Sequence, residues 1–159
     1  MRGAKLALVL VALLIGQTVI APRFSFLGIT PDLVLVTVIV FSVLGRRDEG
    51  LAFSVLAGLG RDLVSRGGYW HTVLLVLIST LIVNFREELK SDEYALTAGL
   101  VAFCCPLYFL VEALIIWFSS GQGLAMELVI RQLTAGTIYN LLLVPLCFPL
   151  LRRIIDVDR

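Results

Sequence analysis

Charge is scarce in this chain. Of its 159 residues only 16% are Asp, Glu, Lys or Arg, and the net charge is +1, whereas a soluble domain carries about 25% charged residues. Without a basic or acidic field, nothing argues for nucleic acid or for an acidic substrate. Histidine occurs once, as His71, following Tyr69-Trp70; alone it makes neither a metal site nor a catalytic dyad, and the flanking aromatics suit an anchor at a membrane interface. The sequence has no HExxH, no GxSxG and no glycine-rich loop ending in Lys-Ser or Lys-Thr, so zinc hydrolysis, acyl transfer and phosphate chemistry lack their usual residues. Cys104, Cys105 and Cys147 lie inside apolar runs without the spacing of a redox or zinc pair, and read as small fillers. No cofactor is implied, and the chain reads as a non-enzyme.

Hydrophobicity is abundant. Residues of the apolar set make up 59% of the chain and the mean hydropathy is +0.99. The charges collect in short clusters between apolar runs, the pattern of a chain whose solvent is the bilayer. Six runs predict an all-α membrane protein of six transmembrane helices in one domain: residues 6–20, 31–44, 50–64, 70–85, 94–118 and 126–151. Met1 to Ala21 has the outline of a secretory signal, but Pro22 is a poor context for cleavage, and the segment is taken as the first helix. At 1.5 Å per residue the second and third runs reach about 21–24 Å, short of the roughly 30 Å hydrocarbon core, so they need shielding by neighbours or a thinned bilayer. The last two are long enough to frame the bundle.

If every run crosses, one side receives Arg2, Lys5, Arg46, Arg47, Arg86, Lys90, Arg152, Arg153 and Arg159, and the other Arg23, Arg61, Arg66 and Arg131. The positive-inside rule makes the first side cytoplasmic, with both termini there. The third run, EGLAFSVLAGLGRD, places Gly50, Ser54 and Gly58 four residues apart, a small-residue face for close packing within the bundle.

An ionisable group within a span costs about 2.5–3.5 kcal/mol on insertion scales and needs a reason to be there. Asp32, Arg61, Asp62, Glu112 and Arg131 all fall near the outer helix ends. Thr30-Pro31-Asp32 reads as a helix start, with Thr30 as N-cap and the carboxylate against the positive end of the dipole. Asp62 opposes the dipole of its own helix and needs a donor, for which Arg61 or Arg66 is at hand, with Gly67-Gly68 ending the helix. Glu112 and Arg131 lie at similar depth, about 7–9 Å in, and are expected to share a cluster; a local Glu127–Arg131 pair competes. Asn140 is expected to hydrogen-bond between helices.

Taken together these residues resemble a known family. Pro31-Asp32-Leu33, then Gly50, Phe53, Gly58-Leu59 and Asp62, then Thr134 to Arg153 (TAGTIYNLLLVPLCFPLLRR), are similar to the signatures of the rod shape-determining MreD proteins. The similarity covers nearly the whole chain; SRGGYWH, residues 65–71, departs from that family's usual Gly-Leu-rich turn. The resemblance implies a non-enzymatic subunit of the bacterial wall-elongation machinery in the inner membrane. Its implied partners are MreC directly, with MreB, RodA and a class B penicillin-binding protein in the same assembly. It also implies a fold like that of the substrate-binding subunits of energy-coupling-factor transporters. On this reading Asp32, Arg61, Asp62, Glu112 and Arg131 form an outer polar cluster that meets a partner. An alternative with the same fold is a vitamin-like ligand cup, with Phe24, Phe26, Tyr69 and Trp70 as its aromatics. An intramembrane hydrolase is disfavoured.

Overall fold

Apolar runs in a low-dielectric solvent must satisfy their own backbone groups, and helices do so within one segment. In the computed structural model the described residues are 2–25, 28–65, 68–86, 88, 92–120 and 126–156, and no strand element forms among them. Phe26, Arg66, Gly67, Lys90 and Arg159 lie outside this set.

Six helices follow. Helix α1, Arg2–Ile15, widens to a π-turn at Gly16–Ile20 and tightens to a 3-10 turn at Ala21–Phe24. Next come α2 (Leu33–Leu44), α3 (Arg47–Ser65), α4 (Trp70–Phe85) and α5 (Glu93–Ser120). Helix α6 begins as Met126–Arg131, passes through a π-turn at Gln132–Gly136 and continues as Thr137–Asp156. Among the described residues three stretches, Leu6–Phe24, Glu93–Ser119 and Met126–Ile155, are long and apolar enough to cross a membrane; Leu33–Leu44 and Trp70–Phe85 are shorter apolar helices. Helix α3 begins earlier than the apolar run, because Asp48 and Glu49 occupy its first turn, where carboxylates complement the dipole.

The short helix α2 is the centre. Every residue from Val34 to Leu44 is buried, and α3, α4, α5 and α6 all pack on it. A helix apolar on every side belongs inside, which resolves its length: neighbours, not lipid, cover it. Phe41 of α2 stacks on Phe53 of α3 at 4.6 Å between ring centroids.

Burying α2 strands its terminal N–H and C=O groups far from water. Neighbouring side chains meet both ends. At the C-terminal end the Arg86 guanidinium donates to the carbonyls of Ser42 (3.0 Å), Val43 (3.2 Å) and Gly45 (2.5 Å). At the N-terminal end Asp32 is the N-cap, its Oδ1 accepting from Leu35 N–H at 2.9 Å. The Asn140 side chain accepts the Asp32 N–H at 2.8 Å, and Gln17 Oε1 accepts the Leu33 N–H at 2.8 Å. The cap is therefore Asp32 itself; Thr30 lies outside the helix start.

Helices α3 and α4 approach closely through the small-residue face. A Cβ on Gly58 would lie 2.5 Å from the Thr72 Cα of α4, while on the same face one on Gly50 would lie 3.4 Å from the Ser42 Cα of α2. Ser54 is fully buried, its hydroxyl returned to the Leu51 carbonyl at 2.8 Å. This approach brings the end of α3 against the start of α4, where the site forms.

Candidate functional site: a buried ionic network at one end of the bundle

The network begins with a conflict of dipoles. Asp62 sits in the last turn of α3, where a negative charge is disfavoured. The same carboxylate lies over the first turn of α4, whose N–H groups have no intrahelical partner, and whose N-cap, Tyr69, gives no side-chain bond. Asp62 fills that role. Oδ2 accepts from Thr72 N–H at 2.9 Å and from the Thr72 hydroxyl at 2.5 Å, and Oδ1 accepts from His71 N–H at 3.2 Å. It is 4% exposed. The compensation expected from Arg61 comes instead from the next helix, and Arg66 lies outside the described residues.

The His71 ring extends the chain of contacts. Nδ1 lies 2.7 Å from Asp62 Oδ1, and Nε2 lies 3.2 Å from Glu112 Oε1 on α5. Asp62 already accepts from three other donors, so it is the ionised acceptor and Nδ1 carries a hydrogen. The contact on the other side of the ring then needs a proton on either Nε2 or Glu112. Glu112 Oε1 is also 3.8 Å from Arg61 Nη2, and Arg61 Nη1 pairs with Asp32 Oδ2. Asp32, Arg61, Glu112, His71 and Asp62 thus form one continuous chain of polar contacts across α2, α3, α4 and α5.

Tyr108 of α5 supports the guanidinium from below, the Arg61 carbon lying 5.4 Å from its ring centroid, a cation–π distance. Its own hydroxyl is buried and has no hydrogen-bond partner among the described residues. Asn140 is fully buried and joins this end of α6 to α2, and to α5 through Nδ2 donating to Cys105 Sγ at 3.3 Å.

Four of the five ionisable residues expected to cluster are therefore brought together, and Arg131 is not. It pairs with Glu127 at 2.5 Å on the exposed face of its own helix, the i, i+4 geometry. The shared Glu112–Arg131 cluster is corrected on this point: Glu112 already faces Arg61 and His71, and Arg131 points outward. Sequence reasoning missed His71, Thr72, Tyr108 and Gln17. For His71 and Thr72 a signal existed, because Asp62 precedes a helix start by about two turns of chain, and a carboxylate that cannot cap its own helix can cap the next.

A cavity of about 450 Å³ opens beside this network between α4 and α5, lined by Ser65, Gly68, Trp70, His71, Leu74, Glu112, Ile115, Ile116 and Ser119. Glu112 and His71 are the members of the network that reach it. No group of three or more His, Cys, Asp or Glu able to hold a metal occurs among the described residues.

Compared with known proteins, residues 4–154 match the family model for rod shape-determining protein MreD. No curated protein and no solved structure matches the chain, so the expected likeness to energy-coupling-factor subunits has no solved counterpart here.

Proposed function

The chain belongs to the rod shape-determining protein MreD family, a membrane protein with a role in cell shape, and from that premise we propose that it is a non-enzymatic scaffold that binds MreC directly. MreB, RodA and a class B penicillin-binding protein belong to the same assembly. The observation that carries this reading is the ionic network, which ties α2, α3, α4 and α5 together at one end. Ionised groups in a low-dielectric bundle are retained where they hold a geometry, and a fixed end is what a docking platform needs. Asp32 and Asp62 serve inside the protein; Glu112 at the groove and the exposed Glu127–Arg131 pair are the parts a partner reaches.

The protein crosses the bacterial inner membrane six times with both termini in the cytoplasm. Arg46, Arg47, Arg86, Arg152 and Arg153 gather at the opposite end of the helices from the network, which under the positive-inside rule supports an external position for the network. Charge placement supports this orientation.

Co-purification tests the reading. With Glu112→Gln and Arg131→Gln combined, the folded protein is expected to lose MreC. If it retains MreC at wild-type yield, this end is not the docking surface. A second reading, a vitamin-like ligand-binding subunit, has the cavity between α4 and α5 in its favour; a rise in melting temperature with a vitamin panel is its signature.

A further inference from the structure

Among the described residues the network is short of positive charge where it meets the cavity. Asp32, Asp62 and Glu112 contribute three carboxylates, against the Arg61 guanidinium and the single proton that the His71–Glu112 contact requires. Even with that proton, one negative charge is left over among the described residues. In a medium of low dielectric an uncompensated carboxylate is expensive. The excess is reachable at one place. Glu112 is the most open acid of the four-helix chain, its side chain 22% exposed against 2% for Asp62 and 4% for Asp32, and it lies in the wall of the cavity.

The rest of that wall suits an amphiphile. Leu74, Ile115 and Ile116 make an apolar flank, and Trp70 with Ser65 and Ser119 frames the end nearer the helix termini. The cavity lies between α4 and α5, which touch each other sparingly, and both helices turn apolar residues outward beside it: Val73 and Leu77 on α4, Ile116 and Trp117 on α5. A molecule already dissolved in the bilayer can enter sideways, chains along the flank and head at Glu112. Of lipid heads, one whose ammonium carries a local positive charge and donates hydrogen bonds answers both needs of a carboxylate. A quaternary ammonium cannot donate, and is held instead by cages of several aromatic rings, of which this wall has one, Trp70.

We propose that the α4–α5 cavity is a binding site for a phospholipid bearing a primary ammonium, a phosphatidylethanolamine, whose ammonium pairs with Glu112 and completes the ionic network. The proposal uses the same Glu112 as the docking reading, with the lipid rather than MreC as its partner, and it is tested on the purified chain without MreC. The purified chain is placed in nanodiscs of dioleoyl-phosphatidylethanolamine with phosphatidylglycerol, or of dioleoyl-phosphatidylcholine with phosphatidylglycerol at the same ratio, and melting is followed by tryptophan fluorescence. The ethanolamine lipid is expected to raise the midpoint by about 5–10 °C over the choline lipid. In native mass spectrometry from micelles holding both lipids, one ethanolamine lipid should be retained preferentially.

Glu112→Gln should abolish both effects, and so should Ile116→Trp, which fills the cavity and leaves every member of the network in place. Arg66 is the next cation after Arg61 in the sequence, and Arg66→Gln should leave the lipid preference intact. Equal midpoints in the two lipids, or a preference that persists in Glu112→Gln and Ile116→Trp, overturn the proposal. A preference that appears or grows in Arg66→Gln relative to the unmodified chain overturns it as well, by assigning the counter-charge to the chain itself.

Discussion

Replacing Gly58 by alanine isolates the contact on which the site depends. In an ordinary helix interior the change is favourable, since alanine gains about 0.5–1 kcal/mol over glycine. At Gly58 the new methyl would lie 2.5 Å from the Thr72 Cα and 3.1 Å from both its N and its Cβ. Backbone cannot rotate away as a side chain can, so α3 and α4 must separate by about 1 Å to restore van der Waals distance. Overpacking of this kind costs about 1–3 kcal/mol. The same separation lengthens the Asp62 bonds to Thr72 and His71, and hydrogen bonds to a charged group are worth about 1.5–3 kcal/mol each. Net destabilisation of about 1–3 kcal/mol is expected, a fall in melting temperature of about 3–10 °C. Gly99→Ala is the internal control, because a Cβ there meets nothing within 4 Å, and it should be neutral or stabilising. Melting in detergent with all other residues unchanged reads the difference. Equal midpoints for the Gly58 and Gly99 variants would refute the close-approach argument.

Three further outcomes are expected. Asp62→Asn replaces an acceptor of four hydrogen bonds by a group whose amide must face donors, and should cost about 3–5 kcal/mol, read as a large loss of folded protein on size exclusion; a stable Asn variant would mean the carboxylate is not needed to start α4. Arg131→Gln breaks only an exposed pair and should change stability by less than about 1 kcal/mol, so a melting shift comparable to that of Asp62→Asn would put Arg131 back in the buried network. Asn140→Leu leaves the Asp32 N–H buried and unpaired and should lower stability by about 1–3 kcal/mol, with faster hydrogen exchange at the start of α2; unchanged exchange there would contradict its capping role.

Much of this was legible in the sequence, for reasons that also explain what was not. Apolar runs mark helices because the bilayer leaves few alternatives, and charges buried in such runs stand out by their cost. Asp32, Arg61, Asp62 and Glu112 were conspicuous for that reason. Which groups meet is a matter of helix rotation, and one sequence carries little information on it. Arg131 looked equivalent to Glu112 by depth, yet it points outward to Glu127. His71 looked like an interfacial anchor beside two aromatics, yet its ring faces inward to two carboxylates. Arg86 read as one more cytoplasmic charge, and the structure has it closing the C-terminus of α2. That role exists only because α2 is central, a fact its apolar composition suggested but its sequence neighbours could not locate.

Docking at the external face requires the ionic network to lie at the outer side of the membrane. In a background with Cys104, Cys105 and Cys147 replaced by alanine, single cysteines at Ser119, beside the network, and at Asp48, at the opposite end of the bundle, are challenged with a membrane-impermeant maleimide in intact spheroplasts. Labelling of Ser119→Cys at once, and of Asp48→Cys only after permeabilisation, is the expected result. The reverse pattern would turn the network toward the cytoplasm and contradict docking at the external face.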